Sequence, residues 1–145
     1  MPAISGIHHV TFVVGDLDAG ITWFTQILGA RHVPRFDHRD AAGALFGVIL
    51  ELRGFPGMIE LRIADAGYPA RPGYDPVTFE VPDDAALEVW AEHLRAAGAA
   101  CTPIKRRRTG RSIEVEGPDR IVLRLFTAPV GGFGAVAFQE REVDR

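Results

Sequence analysis

Cysteine is almost missing from this chain: Cys101 is the only one in 145 residues. One thiol closes no internal disulfide and cannot supply a multi-cysteine zinc site. It follows Gly98-Ala99-Ala100, where a strand is expected to begin, and reads as a buried or half-buried structural thiol rather than a nucleophile. Long apolar runs are also missing. None approaches the ~18 residues that cross a bilayer, and no charged segment leads into an apolar stretch as in a signal peptide. A cytoplasmic protein without membrane partners is the expectation. Strong charge of either sign is absent too. The formal net charge is -3, which lacks the broad positive footprint of a nucleic-acid binder. The one basic run, Lys105-Arg106-Arg107-Arg108 with Arg111 beyond it, reads as a solvated strand end and turn or as a patch that steers an anionic ligand. No Gly-rich phosphate loop stands between a strand and a helix, and there is no Gly-x-Ser-x-Gly elbow.

What is present is ordinary for a globular domain: 47% hydrophobic and 24% charged residues. The length suits one domain with its own core. The chain then reads twice. Ile7 to Val14 is a β-rich run, and Asp16 or Asp18 is placed to cap a helix whose apolar face is Ile21, Phe24, Ile27 and Leu28, closed by Gly29. Arg31 to His38, Leu45 to Leu52 and Met58 to Ile63 follow as strands, the last two separated by the Gly54-Phe55-Pro56-Gly57 turn. After a connection rich in Gly and Pro, Val77 to Val81 is a strand, and Pro82-Asp83-Asp84 opens a helix with Leu87, Trp90, Ala91 and Leu94 on one face and Gly98 at its end. Ala100 to Arg107, Arg111 to Glu116 and Ile121 to Phe126 complete the second set. The order β-α-β-β-β thus occurs in both halves, with a spacing of about 70 residues that is too long for a solenoid repeat. An α+β fold of two tandem βαβββ modules is expected, its cupped mixed sheet enclosing a ligand cavity. The expected layout is one domain over residues 1–128, with module 1 at about 5–64, a linker at 65–75 and module 2 at about 76–128. Residues 129–145 would form a tail, as an arm or a short strand on a partner subunit.

Within this frame, His9-Val10-Thr11-Phe12-Val13-Val14-Gly15-Asp16-Leu17, Met58-Ile59-Glu60-Leu61, Val77-Thr78-Phe79-Glu80-Val81-Pro82-Asp83 and Gly117-Pro118-Asp119 with Ile121 to Leu125 resemble the vicinal oxygen chelate superfamily, which contains glyoxalase I, the bleomycin-resistance proteins and dioxygenases. The resemblance runs from about residue 7 to 127. It implies a cavity at whose centre the first and last strands of each module present metal ligands, usually His and Glu or Gln. The ion then acts as a Lewis acid for lyase, isomerase, epimerase or ring-cleaving chemistry.

Carried across position by position, His9 and Glu60 fall on the first module's ligand positions, and Pro76 and Arg124 fall on the second's. Proline has no side-chain donor, and a guanidinium is a permanent cation that binds no metal. Two protein ligands fall short of the three usual in a catalytic centre, so no cofactor is expected. The alternative is one divalent ion, Zn, Ni, Fe or Mn, held by His9 and Glu60. Asp75 or Thr78 reaches a ligand position only if the register slides by one or two residues, and Thr78 would be a weak ligand.

Strand alternation places Met58, Glu60 and Arg62 opposite Ile59, Leu61 and Ile63, and places Val122, Arg124 and Phe126 opposite Leu123 and Leu125. It also sends His8 and His9 to opposite faces. The expected ligand-binding set is His9, Met58, Glu60, Arg62, Thr78, Val122, Arg124 and Phe126. His9, Glu60 and Arg124 are the candidate catalytic groups within it. Glu60 and Arg124 would either form a structural ion pair or leave guanidinium donors free for a ligand carboxylate, phosphate or carbonyl. His32, His38 and His93 lack ligand spacing and read as surface residues. Trp23 and Trp90 read as core, whereas Phe36, Phe46, Phe55, Tyr68 and Tyr74 lie nearer the cavity mouth. The leading expectation is a small-molecule-binding protein of resistance or sequestration type, as a homodimer. A glyoxalase-type enzyme and a regulatory module without an active site are the alternatives.

Overall fold

The computed structural model describes residues 1–136. Its chain clusters into two units: residues 1–72 with the short turn 118–120, and residues 73–117 with the chain from 121 onward. The second has the β-α-β-β-β order, and the first has it with its second strand broken in two.

In the first unit, β1 (His9–Val14) leads into α1 (Leu17–Leu28). Asp16 caps the helix, its side chain accepting from the Ala19 N–H at 2.8 Å. Gly29 ends it at φ 69°, a left-handed conformation that costs glycine little. β2 (Arg31–His32), β3 (His38–Arg39), β4 (Leu45–Glu51) and β5 (Met58–Ile63) complete the sheet, in the order β1-β5-β4-β2 with β3 also on β4. The expected continuous strand from Arg31 to His38 is broken. Pro34 has no N–H for a ladder, and Pro34–Phe36 forms a 3-10 turn between β2 and β3.

One face of this sheet carries Phe12, Val14, Val48, Leu50, Ile59 and Leu61, which are buried together with Phe24, Ile27 and Leu28 of α1. Each such side chain contributes about 1.5–3 kcal/mol of burial. The helical residue in the core is Phe24; its neighbour Trp23 is only half-buried. The turn 118–120 is tied to this unit by Asp119, which accepts a 2.8 Å bond from the Gly15 N–H. Asp119 and Arg120 both have positive φ, 55° and 60°, a conformation unfavourable for side-chain-bearing residues. The bond to Gly15 offsets part of that cost.

The second unit repeats the scheme with β6 (Thr78–Val81), α2 (Asp84–Ala96), β7 (Lys105–Arg107), β8 (Gly110–Glu116) and β9 (Val122–Thr127), in the sheet order β6-β9-β8-β7. Asp83 caps α2 by accepting from Ala86 N–H at 2.8 Å, and Gly98 follows the helix at φ 69°. Leu87 and Leu94 of the helix are buried with Val81, Ile113, Val115, Leu123 and Leu125. Trp90 is half-buried, again short of the core position expected. The expected strand from Ala100 to Arg107 is reduced to a single bridge, Cys101 to Val115, and the three residues of β7. Pro103 stands in the gap. Cys101 is exposed and free, which corrects the expected buried thiol. Of the tail, Phe133–Ala135 forms a 3-10 turn. Residues 137–145, including part of the anticipated arm or partner strand, lie outside the described residues.

Candidate functional site

The sheet face opposite α1 is set by register. Thr11, Glu60 and Ile49 stand in one row across β1, β5 and β4; His9, Met58 and Glu51 form the row on one side; Val13, Arg62 and Gly47 form the row on the other. Cross-strand partners share a face, so this surface gathers the first module's expected residues His9, Met58, Glu60 and Arg62.

Glu60 is its centre. It is only 8% exposed, and a buried carboxylate needs partners. Thr11 Oγ1 donates to its Oε2 at 2.8 Å. His9 Nε2 lies 3.5 Å from the same oxygen, and His38 Nε2 lies 3.9 Å from Oε1. Both imidazoles are nearly half exposed. Glu60 is therefore anchored on its inner side and flanked by two rings that reach solvent, an arrangement suited to proton exchange with a bound molecule.

Gly47 makes this approach possible. A Cβ at that position would stand 3.2 Å from His38 Cδ2 and 3.3 Å from Glu60 Oε1. Any side chain there would intrude between the ring and the carboxylate.

His38 was expected at the surface, and its role is a correction. The register between β3 and β4 slips at His38–Arg39, so that His38 pairs with Gly47 and Arg39 with Leu45. Phe46 is left as the extra residue of a bulge, a device that re-aims side chains. Its ring stacks against His38 with centroids 5.8 Å apart. Arg62 Cζ lies 5.1 Å from the Phe46 centroid and 3.9 Å from that of Tyr68. The expected opposition of His8 and His9 also fails: β1 begins at His9, and the two Nδ1 atoms lie 2.9 Å apart. His32 is likewise no free surface residue, since its Nε2 meets Asp37 Oδ1 at 2.7 Å.

In the second unit the corresponding row is Thr78, Arg124 and Glu114. Thr78 stands to Arg124 as Thr11 stands to Glu60, two residues beyond Pro76 and His9 respectively. Val122 and Phe126 share the Arg124 face, as alternation requires. Arg124 Nη2 contacts Asp75 Oδ2 at 2.8 Å and Glu114 Oε1 at 3.4 Å. Arg107 Nη2 also donates to Glu114 Oε1 at 2.8 Å, and its Nε donates to Ser112 Oγ at 2.8 Å. Two cations and two carboxylates thus form one chain of contacts. The sequence reading missed Asp75, Arg107 and Glu114 as its members. Alternation along β8 puts Ser112, Glu114 and Glu116 on one face, so part of that signal was present. Arg111 of the basic run turns instead to α2. The hydrogen bond that it donates to Glu88 holds its guanidinium pKa above the ordinary value; burial opposes this and the charge of Asp84 adds to it.

The second module's two ligand positions therefore hold a proline without a donor and a guanidinium already engaged by carboxylates. This donor set does not fit the four-ligand metal centre implied by the resemblance. Among the described residues, no group of three or more His, Cys, Asp or Glu side chains is arranged to hold a metal ion. No helix among the described residues is long and apolar enough to cross a membrane.

Comparison with known proteins accounts for the shared geometry. No curated protein matches the chain. Among solved structures, an antibiotic-binding protein, TnmS3 from Streptomyces sp. CB03234, is 18% identical with a TM-score of 0.72 over 89% of this chain and 99% of its own. A glyoxylase/bleomycin resistance protein/dioxygenase domain from Frankia sp. EAN1pec is 29% identical with a TM-score of 0.67, over 86% and 98%. A mutant of the fosfomycin resistance protein FosX from Listeria monocytogenes, in complex with Mn(II) and 1S,2S-dihydroxypropylphosphonic acid, is 23% identical with a TM-score of 0.65, over 86% and 93%. The family model for the Glyoxalase/Bleomycin resistance protein/Dioxygenase superfamily matches residues 6–125. The chain belongs to that superfamily, the vicinal oxygen chelate fold of paired βαβββ modules.

Proposed function

We propose that this protein binds a small organic molecule without a resident metal, in the manner of a resistance or sequestration protein. The ligand would lie against the sheet face of His9, Thr11, Met58, Glu60 and Arg62. The observation that carries this reading is the ion-pair chain Asp75–Arg124–Glu114–Arg107, which puts a neutralised guanidinium where the family pattern calls for a metal donor. Thr78, Val122 and Phe126 stand on the corresponding face of the second module, where they would offer ligand contacts of their own, and the protein would act as a homodimer. The antibiotic-binding relative supports the ligand class in general terms.

A thermal-shift screen of organic compounds tests the proposal, because a ligand that binds only the folded state raises the transition temperature by mass action. Binding should be saturable and change at least tenfold in Glu60→Gln, which keeps the shape and removes the charge. If no compound class shifted the transition, the regulatory-module reading would stand instead.

A second reading, a glyoxalase-type enzyme using His9 and Glu60, draws on the proximity of His9 and His38 to the Glu60 carboxylate. Turnover abolished by His9→Ala, together with a stoichiometric divalent ion, would favour it.

A further inference from the structure

Arg124 was the sequence's candidate for receiving an anionic ligand group, and it is occupied by Asp75 and Glu114. Arg107 and Arg111 likewise hold carboxylates. Arg62 differs. It is half-buried in β5, two residues beyond Glu60 and on the same sheet face. Among the described residues it has no carboxylate partner, and its Nε, like that of Arg124, is shielded from solvent without meeting a hydrogen-bond acceptor. Its guanidinium nevertheless lies against two aromatic rings. Tyr68 stands 3.9 Å away and Phe46 5.1 Å away, measured to the ring centroids. Tyr68 is held by a turn in which Asp65 Oδ1 accepts from the Gly67 and Tyr68 N–H groups at 2.7 and 2.9 Å.

Aromatic faces satisfy the flat side of a guanidinium, but they provide no acceptors for the N–H donors on its edge. A clamped guanidinium with unused edge donors is pre-organised for two-point binding of an oxyanion, at little further entropic cost. Phe46 and Tyr68, the latter 46% exposed, also offer apolar surface beside it for a flat ligand body.

We propose that Arg62 is the anion-receiving residue of this protein, and that its ligand is an aromatic organic acid whose oxyanion docks on the Arg62 edge. The inference rests on the ligand-binding reading above and narrows it to a substrate class. Carboxylate and phosphonate share the required chemistry.

The test measures affinity of the full chain, by calorimetry, for 1-naphthoate and 1-naphthylphosphonate, each beside neutral 1-naphthamide. The expected result is at least tenfold tighter binding of one or both acids than of the amide, with the preferred acid identifying the oxyanion. Arg62→Gln should bring acid and amide within twofold of each other. Arg62→Lys, which keeps a cation over Tyr68 and serves as the folding control, should retain the acid preference but bind at least threefold more weakly. Equal binding of acids and amide by the native chain, or an acid preference that survives in Arg62→Gln, would overturn the inference while leaving small-molecule binding intact. No binding of any of the three compounds would overturn the inference and count against the ligand-binding reading as well.

Discussion

The two modules share a register and differ in what stands on it. In the first, β5 sets Glu60 beside Thr11, with two imidazoles on its open side. In the second, β9 sets Arg124 beside Thr78, with Asp75 and Glu114 drawn against it and Arg107 behind. The frame is nearly the same in both: an Asp-capped helix, a glycine at φ 69° after it, and a parallel pair between the first and last strands. The polar centres, however, have opposite sign. The helix-facing side is apolar in both, and a sheet's other face can differ without disturbing that packing. The first centre keeps groups that reach solvent, whereas the second pairs its carboxylates and guanidiniums with one another and leaves only Arg124 Nε buried without an acceptor.

Substitutions can break or sharpen this contrast. The largest effect is expected where the modules are alike. Leu61→Ala and Leu123→Ala each remove a fully buried side chain and should cost about 2–5 kcal/mol in denaturant unfolding. Similar losses from both would show that the two cores bear comparable weight.

The next effect separates the centres. Glu114→Leu leaves Arg124 and Arg107 without their shared carboxylate. The intact group is about a quarter exposed, so the cost falls below that of a fully buried pair, to about 1–3 kcal/mol. Glu60→Gln keeps the Thr11 bond and should cost under about 1 kcal/mol, while still altering ligand affinity. A Glu60 variant more damaging to stability than the Glu114 variant would reverse the assignment of roles.

Similar in size to the Glu114→Leu loss is Gly47→Val, which overpacks a buried position and should cost about 1–3 kcal/mol. By wedging between His38 and Glu60 it should lower ligand affinity several-fold, read by the same calorimetry. Arg31→Met, which removes an exposed pair with Glu51, should change stability by no more than about 1 kcal/mol and leave binding unaltered.

Much of the frame was legible in the sequence because its signals are local. Asp16, Gly29, Asp83 and Gly98 mark helix ends by their own conformational preferences, and alternation in β5 and β9 separates Glu60 and Arg124 from the leucines beside them. Two strands were overextended because Pro34 and Pro103 interrupt runs that are otherwise β-like. The polar partners were harder to read. His38 reaches Glu60 only through a register slip between β3 and β4, a property of strand pairing rather than of any short segment. Arg107 and Asp75 meet Glu114 and Arg124 across distances in sequence that alternation within one strand does not span. Tyr68 depends on the Asp65 turn to reach Arg62. Cys101 was misplaced because the strand expected around it is a single bridge.

The most direct test of the contrast between the centres is the metal content of the dialysed full chain, measured alone and after titration with Mn(II), Ni(II) or Zn(II), beside His9→Ala. With Pro76 and Arg124 at the second module's ligand positions, the native chain should retain far less than one ion per chain and match the variant. One equivalent of a divalent ion held through dialysis and lost in His9→Ala would contradict the account.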